Sequence, residues 1–74
     1  MQKPKPKSQL VQKFGKRVRI IREKQGLSQE ELGALARLHR TYISLIERGK
    51  QSATLDTMEK IAGALGVPVK KLMP

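Results

Sequence analysis

Between Leu27 and Gly49 the chain reads LSQEELGALARLHRTYISLIERG, and the start of this stretch leaves little freedom over where a helix begins. Ser28 is placed to cap an N-terminus. Glu31, three positions on, can reach back to the Ser28 amide, while Leu27 and Leu32 bracket the cap as a hydrophobic staple. A helix therefore starts at Gln29. Its apolar residues Leu32, Leu35 and Ala36 keep helical spacing and then stop, leaving Arg37, Leu38 and His39 as a tight turn before periodicity resumes at Ile43 and Ile46. On a following helix from about Arg40 to Glu47, Ile43, Ile46 and Glu47 share one face, and Thr41, Ser44, Leu45 and Arg48 point the other way. The inner face is built to pack and the outer face is left free and largely polar.

Length and composition narrow what such a pair can belong to. A chain of 74 residues makes one small domain, and a domain of that size buries only roughly 60% of the surface its unfolded chain exposes. Cysteine is absent, which removes disulfides and zinc knuckles as sources of stability. Phe14 and Tyr42 are the only aromatic residues, so the core must be built from Leu, Ile, Val, Met and Ala, a composition suited to a helical bundle. The lone histidine, His39, has no cysteine beside it to make a metal site. The few carboxylates belong to a cap (Glu30, Glu31) or an inner face (Glu47), leaving no catalytic pair. Neither an enzyme nor a cofactor or metal protein is expected.

Charge supplies the partner. Sixteen Lys and Arg against six Asp and Glu give a net charge of +10, which points to a polyanion. The distribution is uneven. Lys3, Lys5 and Lys7 alternate with Pro4 and Pro6, so residues 1–7 are expected to form a flexible basic arm before a folded domain over residues 8–74. Lys13, Lys16, Arg17, Arg19, Arg22 and Lys24 crowd the first helix. No apolar run approaches the ~20 residues of a membrane span, and no secretory signal is read, so a cytoplasmic protein with no membrane partner is expected.

The remaining signals complete an all-α fold of five helices. Ser8 can cap a first helix that runs to about Gln25, with Leu10 or Val11, Phe14, Val18 and Ile21 as its apolar stripe, Ile20 off that stripe, and Gly26 just past the end. After Gly49 and a polar loop, Thr54 can cap a fourth helix whose Leu55, Met58, Ile61, Ala62 and Leu65 repeat at helical spacing up to Gly66. Pro68 then suits the first position of a last short helix, from which Val69 and Leu72 can turn inward.

From about Phe14 to Leu72 these residues resemble the Cro and C1 type of helix-turn-helix regulator, the phage-repressor superfamily also called the XRE family. The resemblance is carried by Val18-Arg19 and Arg22, by GLSQ before the second helix, by Leu32, Ile43-Ser44, Ile46-Glu47 and Gly49, and by TLDTMEKIAGALGVPVKKL. The segment RTYISLIERG is most similar to the recognition helices of restriction-modification controller proteins and small stand-alone repressors. The resemblance implies a five-helix lambda-repressor-like domain that binds double-stranded DNA, with its third helix in the major groove and its second across the backbone. Arg40, Thr41, Ser44 and Leu45 would then face base edges. Gln29, Tyr42, Arg48 and Lys50 would meet phosphates, and Arg22 and Glu47 would form a partly buried salt bridge. An arginine at position 40 can make the bidentate contact to guanine O6 and N7, and Leu45 offers a thymine methyl an apolar neighbour.

Three residues depart from the family pattern. Arg37 stands where a glycine is usual, so either the turn there avoids positive φ or the arginine tolerates it at a cost of about 1 kcal/mol. Gly33 replaces an alanine and lowers helix propensity by ~1 kcal/mol. His39 is a weaker cap than Ser, Thr or Asp. The implied assembly is a homodimer joined near the C-terminal end by Val69 and Met73 with help from the fourth helix, and no small-molecule effector is expected in so short a chain. Two rival readings are an antitoxin that represses its own gene pair, and a cationic protein that binds nucleic acid or membranes by charge alone.

Overall fold

Four α-helices and one 3-10 turn follow one another along residues 8–74, the part of the chain that the computed structural model describes. The basic arm expected over residues 1–7 lies outside the described residues. The helices are α1 (Gln9–Lys24), α2 (Gln29–Ala36), α3 (Arg40–Glu47) and α4 (Leu55–Leu65), and the 3-10 turn is Val69–Lys71.

Each boundary is set by a local hydrogen bond. The Ser8 hydroxyl accepts from the Val11 amide at 3.1 Å, and the Thr54 hydroxyl accepts from the Thr57 amide at 3.1 Å. At α2 the capping box is closed in both directions: Ser28 Oγ accepts from the Glu31 amide at 2.9 Å, and the Ser28 amide donates to Glu31 Oε1 at 2.8 Å. Gly26 and Gly66 follow α1 and α4 with φ of 71° and 70°, the left-handed backbone that ends a helix without a Cβ penalty.

The fifth helix expected after Pro68 is not an α-helix. Its backbone bonds all span three residues, from Lys71 N to Pro68 O, Leu72 N to Val69 O and Met73 N to Lys70 O. The segment is too short for the i→i−4 ladder, and the tighter turn drops Leu72 into the core, where it is fully buried, while Val69 is half-buried.

The core gathers Phe14 and Val18 from α1, Leu32 from α2, Ile43 and Ile46 from α3, Ile61, Ala62 and Leu65 from α4, and Leu72. Around it α3 packs on α1 and α2, and α4 packs on α2 and α1 and carries the 3-10 turn. Two expected core residues lie outside. Leu35 is 59% exposed because Leu32, Gly33 and Ala36 define the buried arc of α2 and Leu35 falls beyond its edge. Leu55, the first residue of α4, is 78% exposed, ahead of the turn that meets the core. At the start of α1 the half-buried Val11 serves the stripe and Leu10 is exposed.

At Gly15 the backbones of α1 and α3 approach closely. A Cβ built on Gly15 would overlap the Ile46 carbonyl oxygen and stand 3.1 Å from Glu47 Cα. The absent side chain is what allows α3 to lie so near α1.

Candidate nucleic-acid interface

The three-residue turn aims α3. Arg37 occupies the left-handed region, φ 59° and ψ 44°, so the arginine takes the positive-φ conformation that glycine adopts freely, at a strain of about 1 kcal/mol. This lets the Leu38 amide bond back to the Gly33 carbonyl at 2.8 Å. The loop closes tightly on α2, because a Cβ on Gly33 would collide with the Leu38 carbonyl oxygen. In this backbone Gly33 makes room for the turn, a role that propensity alone does not register.

His39 does cap α3. Its Nδ1 accepts from the Thr41 amide at 3.0 Å, which requires Nδ1 to be the unprotonated ring nitrogen. The expectation of a weak cap came from the rarity of histidine at this position. The Thr41 amide it satisfies is one of those a serine or aspartate cap would accept from.

With α3 so placed, Ile43, Ile46 and Glu47 are buried, Arg40, Thr41 and Arg48 are exposed, and Tyr42, Ser44 and Leu45 are half-buried. Arg40, Thr41 and Ser44 line one shallow hollow together with Gln29 from the start of α2. Two helices thus contribute to one surface. The Arg40 guanidinium lies 4.0 Å from the Glu30 carboxylate, both largely exposed, so it has a weak intramolecular partner that a ligand can displace. Leu45 stands apart from this hollow, and its carbonyl accepts from the Lys50 amide at 2.9 Å. Tyr42 rests against the core. Arg48 folds back so that its Nε donates to the Ser44 carbonyl at 3.4 Å, and Lys50 is exposed beyond the helix end.

Behind this surface lies a buried ion pair. Arg22 Nε donates to Glu47 Oε2 at 2.7 Å and Nη2 to Oε1 at 2.9 Å, with side chains 9% and 2% exposed. Arg22 Nη1 also donates to the Leu27 carbonyl at 2.7 Å, so one side chain joins α1, α3 and the approach to α2. The hydrogen bond to Glu47 pushes the Arg22 pKa above its ordinary value. Burial opposes this, and the charges of Glu47 and Glu23 reinforce it. The guanidinium stays charged throughout the range in which proteins work.

Gln29 joins the same pair, donating through Nε2 to Glu47 Oε1 at 3.1 Å. Sequence reasoning missed this bond, since nothing in the spacing of positions 29 and 47 announces it. It also missed Gly15, although a glycine inside an amphipathic helix is a visible sign of close approach. A third unforeseen tie runs from Gln25 Nε2 to the Leu65 carbonyl at 2.7 Å, fastening the end of α1 to the end of α4.

Residues 18–72 match the helix-turn-helix family. Over 61 residues the chain is 54% identical to control protein C.BamHI of Bacillus amyloliquefaciens, an alignment covering 81% of this chain and 75% of that protein. It is 43% identical over 61 residues to control protein C.MunI of a Mycoplasma species, covering 81% and 82%. Among solved structures, the restriction-modification controller protein C.AhdI from Aeromonas hydrophila superposes with a TM-score of 0.82 at 40% identity, covering 84% of this chain and 94% of that one.

Proposed function

The chain belongs to the helix-turn-helix transcription regulators of the Cro and C1 type, and from that premise we propose that it is a restriction-modification controller, a homodimer reading a roughly palindromic operator with α3 in the major groove. The observation that carries this reading is the shared hollow of Gln29, Arg40, Thr41 and Ser44, held against the core by Ile43 and Ile46. Arg40 is the guanine reader, with Thr41, Ser44 and Leu45 on the flanking base edges. Gln29, Tyr42, Arg48 and Lys50 take phosphates. Arg48 and Lys50 are exposed near the end of α3, and half or more of the bonds in such interfaces go to the DNA backbone.

One α3 covers too few base pairs for the usual specific affinity, so two copies meet half-sites about 34 Å apart. Leu10, Val11 and Phe14 of α1, the loop 51–53, Met58 of α4 and Met73 line an apolar hollow, and Met73 is 40% exposed. Its exposed Met73 supports a dimer surface that also uses Val69 and α4. No described helix is long and apolar enough to cross a membrane, and the protein acts in the cytoplasm, where its operator is.

An operator selected from a random duplex library, followed by binding across its single-base variants, tests the reading. Arg40→Ala is expected to lose about 1–3 kcal/mol on the preferred site and to relax preference at one guanine. Lys50→Ala is expected to weaken all sequences alike and to flatten the salt dependence by ~1 in slope. If Arg40→Ala behaves as Lys50→Ala does, base reading by Arg40 is wrong. If footprinting shows one copy saturating an unsymmetrical half-site, the homodimer is wrong.

A further inference from the structure

We propose that Glu47 is a positioning residue for DNA binding: by accepting from Gln29 Nε2 it fixes the Gln29 amide, and the buried Arg22–Glu47 pair thereby sets the phosphate contact of α2. The inference rests on the reading of α2 and α3 as the DNA surface and assigns to the ion pair a task beyond holding helices together.

The chemistry of the acceptor makes the geometry one-sided. An ionised carboxylate can only accept, so the Gln29 nitrogen must face Glu47 and its carbonyl oxygen must turn away. Glu47 cannot move to follow Gln29. Its side chain is 2% exposed, and its Oε1 and Oε2 are both held by Arg22. Arg22 is fixed in turn by the Leu27 carbonyl. One N–H of the Gln29 amide is thus committed inward, and Gln29 lines the hollow beside Arg40, Thr41 and Ser44.

The second N–H of that amide is the donor left for a phosphate oxygen. Without Glu47 the long side chain samples many rotamers, and half of the amide's orientations offer a phosphate the carbonyl oxygen, which repels it. Phosphate contacts fix the register of a protein on the duplex, so an amide held in one orientation fixes α2 relative to the backbone while α3 reads the bases.

A binding cycle on the selected operator separates positioning from a merely structural role. Gln29→Ala is expected to weaken binding about tenfold, as loss of a hydrogen bond to a charged group does. The paired swap Arg22→Met with Glu47→Leu keeps a neutral, filled site. It is expected to weaken binding by a similar factor at temperatures where circular dichroism shows the variant folded. Adding Gln29→Ala to the swap is expected to cost nothing more.

Full additivity, or a folded swap that binds as the parent does, would overturn the proposal. A Gln29→Ala protein with undiminished affinity would overturn it too, while base reading by Arg40 stands or falls on its own assay. A second measurement needs no variant that folds poorly. In the parent protein without DNA, NMR is expected to show the Gln29 side-chain amide protons slowed in solvent exchange and distinct from those of the exposed Gln9. Gln29 amide protons indistinguishable from those of Gln9 would refute the holding contact.

Discussion

The seam between α1 and α3 is closed backbone against backbone, whereas the side of α4 around Gly63 is open, and both regions carry a glycine inside a helix. At Gly15 an added Cβ would overlap the Ile46 carbonyl, and on the same seam Arg22 and Glu47 form their buried pair. At Gly63 an added Cβ meets nothing within 4 Å, and the neighbouring hollow is shared with Leu35, which is 59% exposed. Of the described glycines, the one with the closest neighbour thus lies where the tilt of α3 is decided. The same residue type has opposite meanings on the two sides: on one it permits a contact, on the other it only lowers helix propensity.

The largest expected effect is on the ion pair. Glu47→Ala leaves the Arg22 guanidinium buried without its partner and should destabilise the protein by about 3 kcal/mol, with a smaller loss when both residues become apolar. Urea unfolding of the two single variants and the pair gives the coupling directly, and no coupling would remove the seam's special status. The Arg22 pKa is raised in the folded protein, so its contribution is complete below the unfolded value and fades only as pH climbs through the folded one. Both lie far on the alkaline side. The stability difference between the parent and the paired apolar variant should therefore not shrink through titration of Arg22 between about pH 7 and pH 9.

The two glycines come next and should change stability in opposite directions. Gly15→Ala forces α1 and α3 apart and should cost about 2–3 kcal/mol, while Gly63→Ala should gain about 0.5–1 kcal/mol from propensity and a stiffer unfolded chain. Thermal melts of both variants would break the comparison if they moved in the same direction. An effect about as small as that of Gly63→Ala concerns the turn that aims α3. Arg37→Gly should stabilise by roughly 1 kcal/mol, since Arg37 already adopts a backbone that glycine takes freely. A melting temperature that falls would show that the strain at Arg37 is smaller than the entropy a glycine adds to the unfolded chain.

The helix limits and the outward-facing residues of α3 were legible because their causes are local. The capping box of Ser28 and Glu31 closes within one turn, and the positive φ at Gly26 and Gly66 ends a helix wherever it lies. Ile43 and Ile46 define an inner face whose opposite must carry Arg40 and Thr41, whatever packs behind them. His39 marks the limit of that logic. Its position as a cap was readable, but its strength depended on a ring nitrogen reaching the Thr41 amide.

Sequence by itself determined where the helices start and stop, that the fold is all-α, and which short helix shows a polar face, since these follow from hydrogen bonds and periodicities spanning a few residues. Only the tertiary structure decided that Leu35 and Leu55 stay outside, that the last segment is a 3-10 turn, that Gly15 is a contact point, and that Gln29 belongs to Glu47. Apolar spacing says that a face can be covered, but not which neighbour covers it. Gln29 and Glu47 are brought within hydrogen-bonding distance by the left-handed turn at Arg37 and by α1 pressing on α3, and neither of those distances is encoded at either residue.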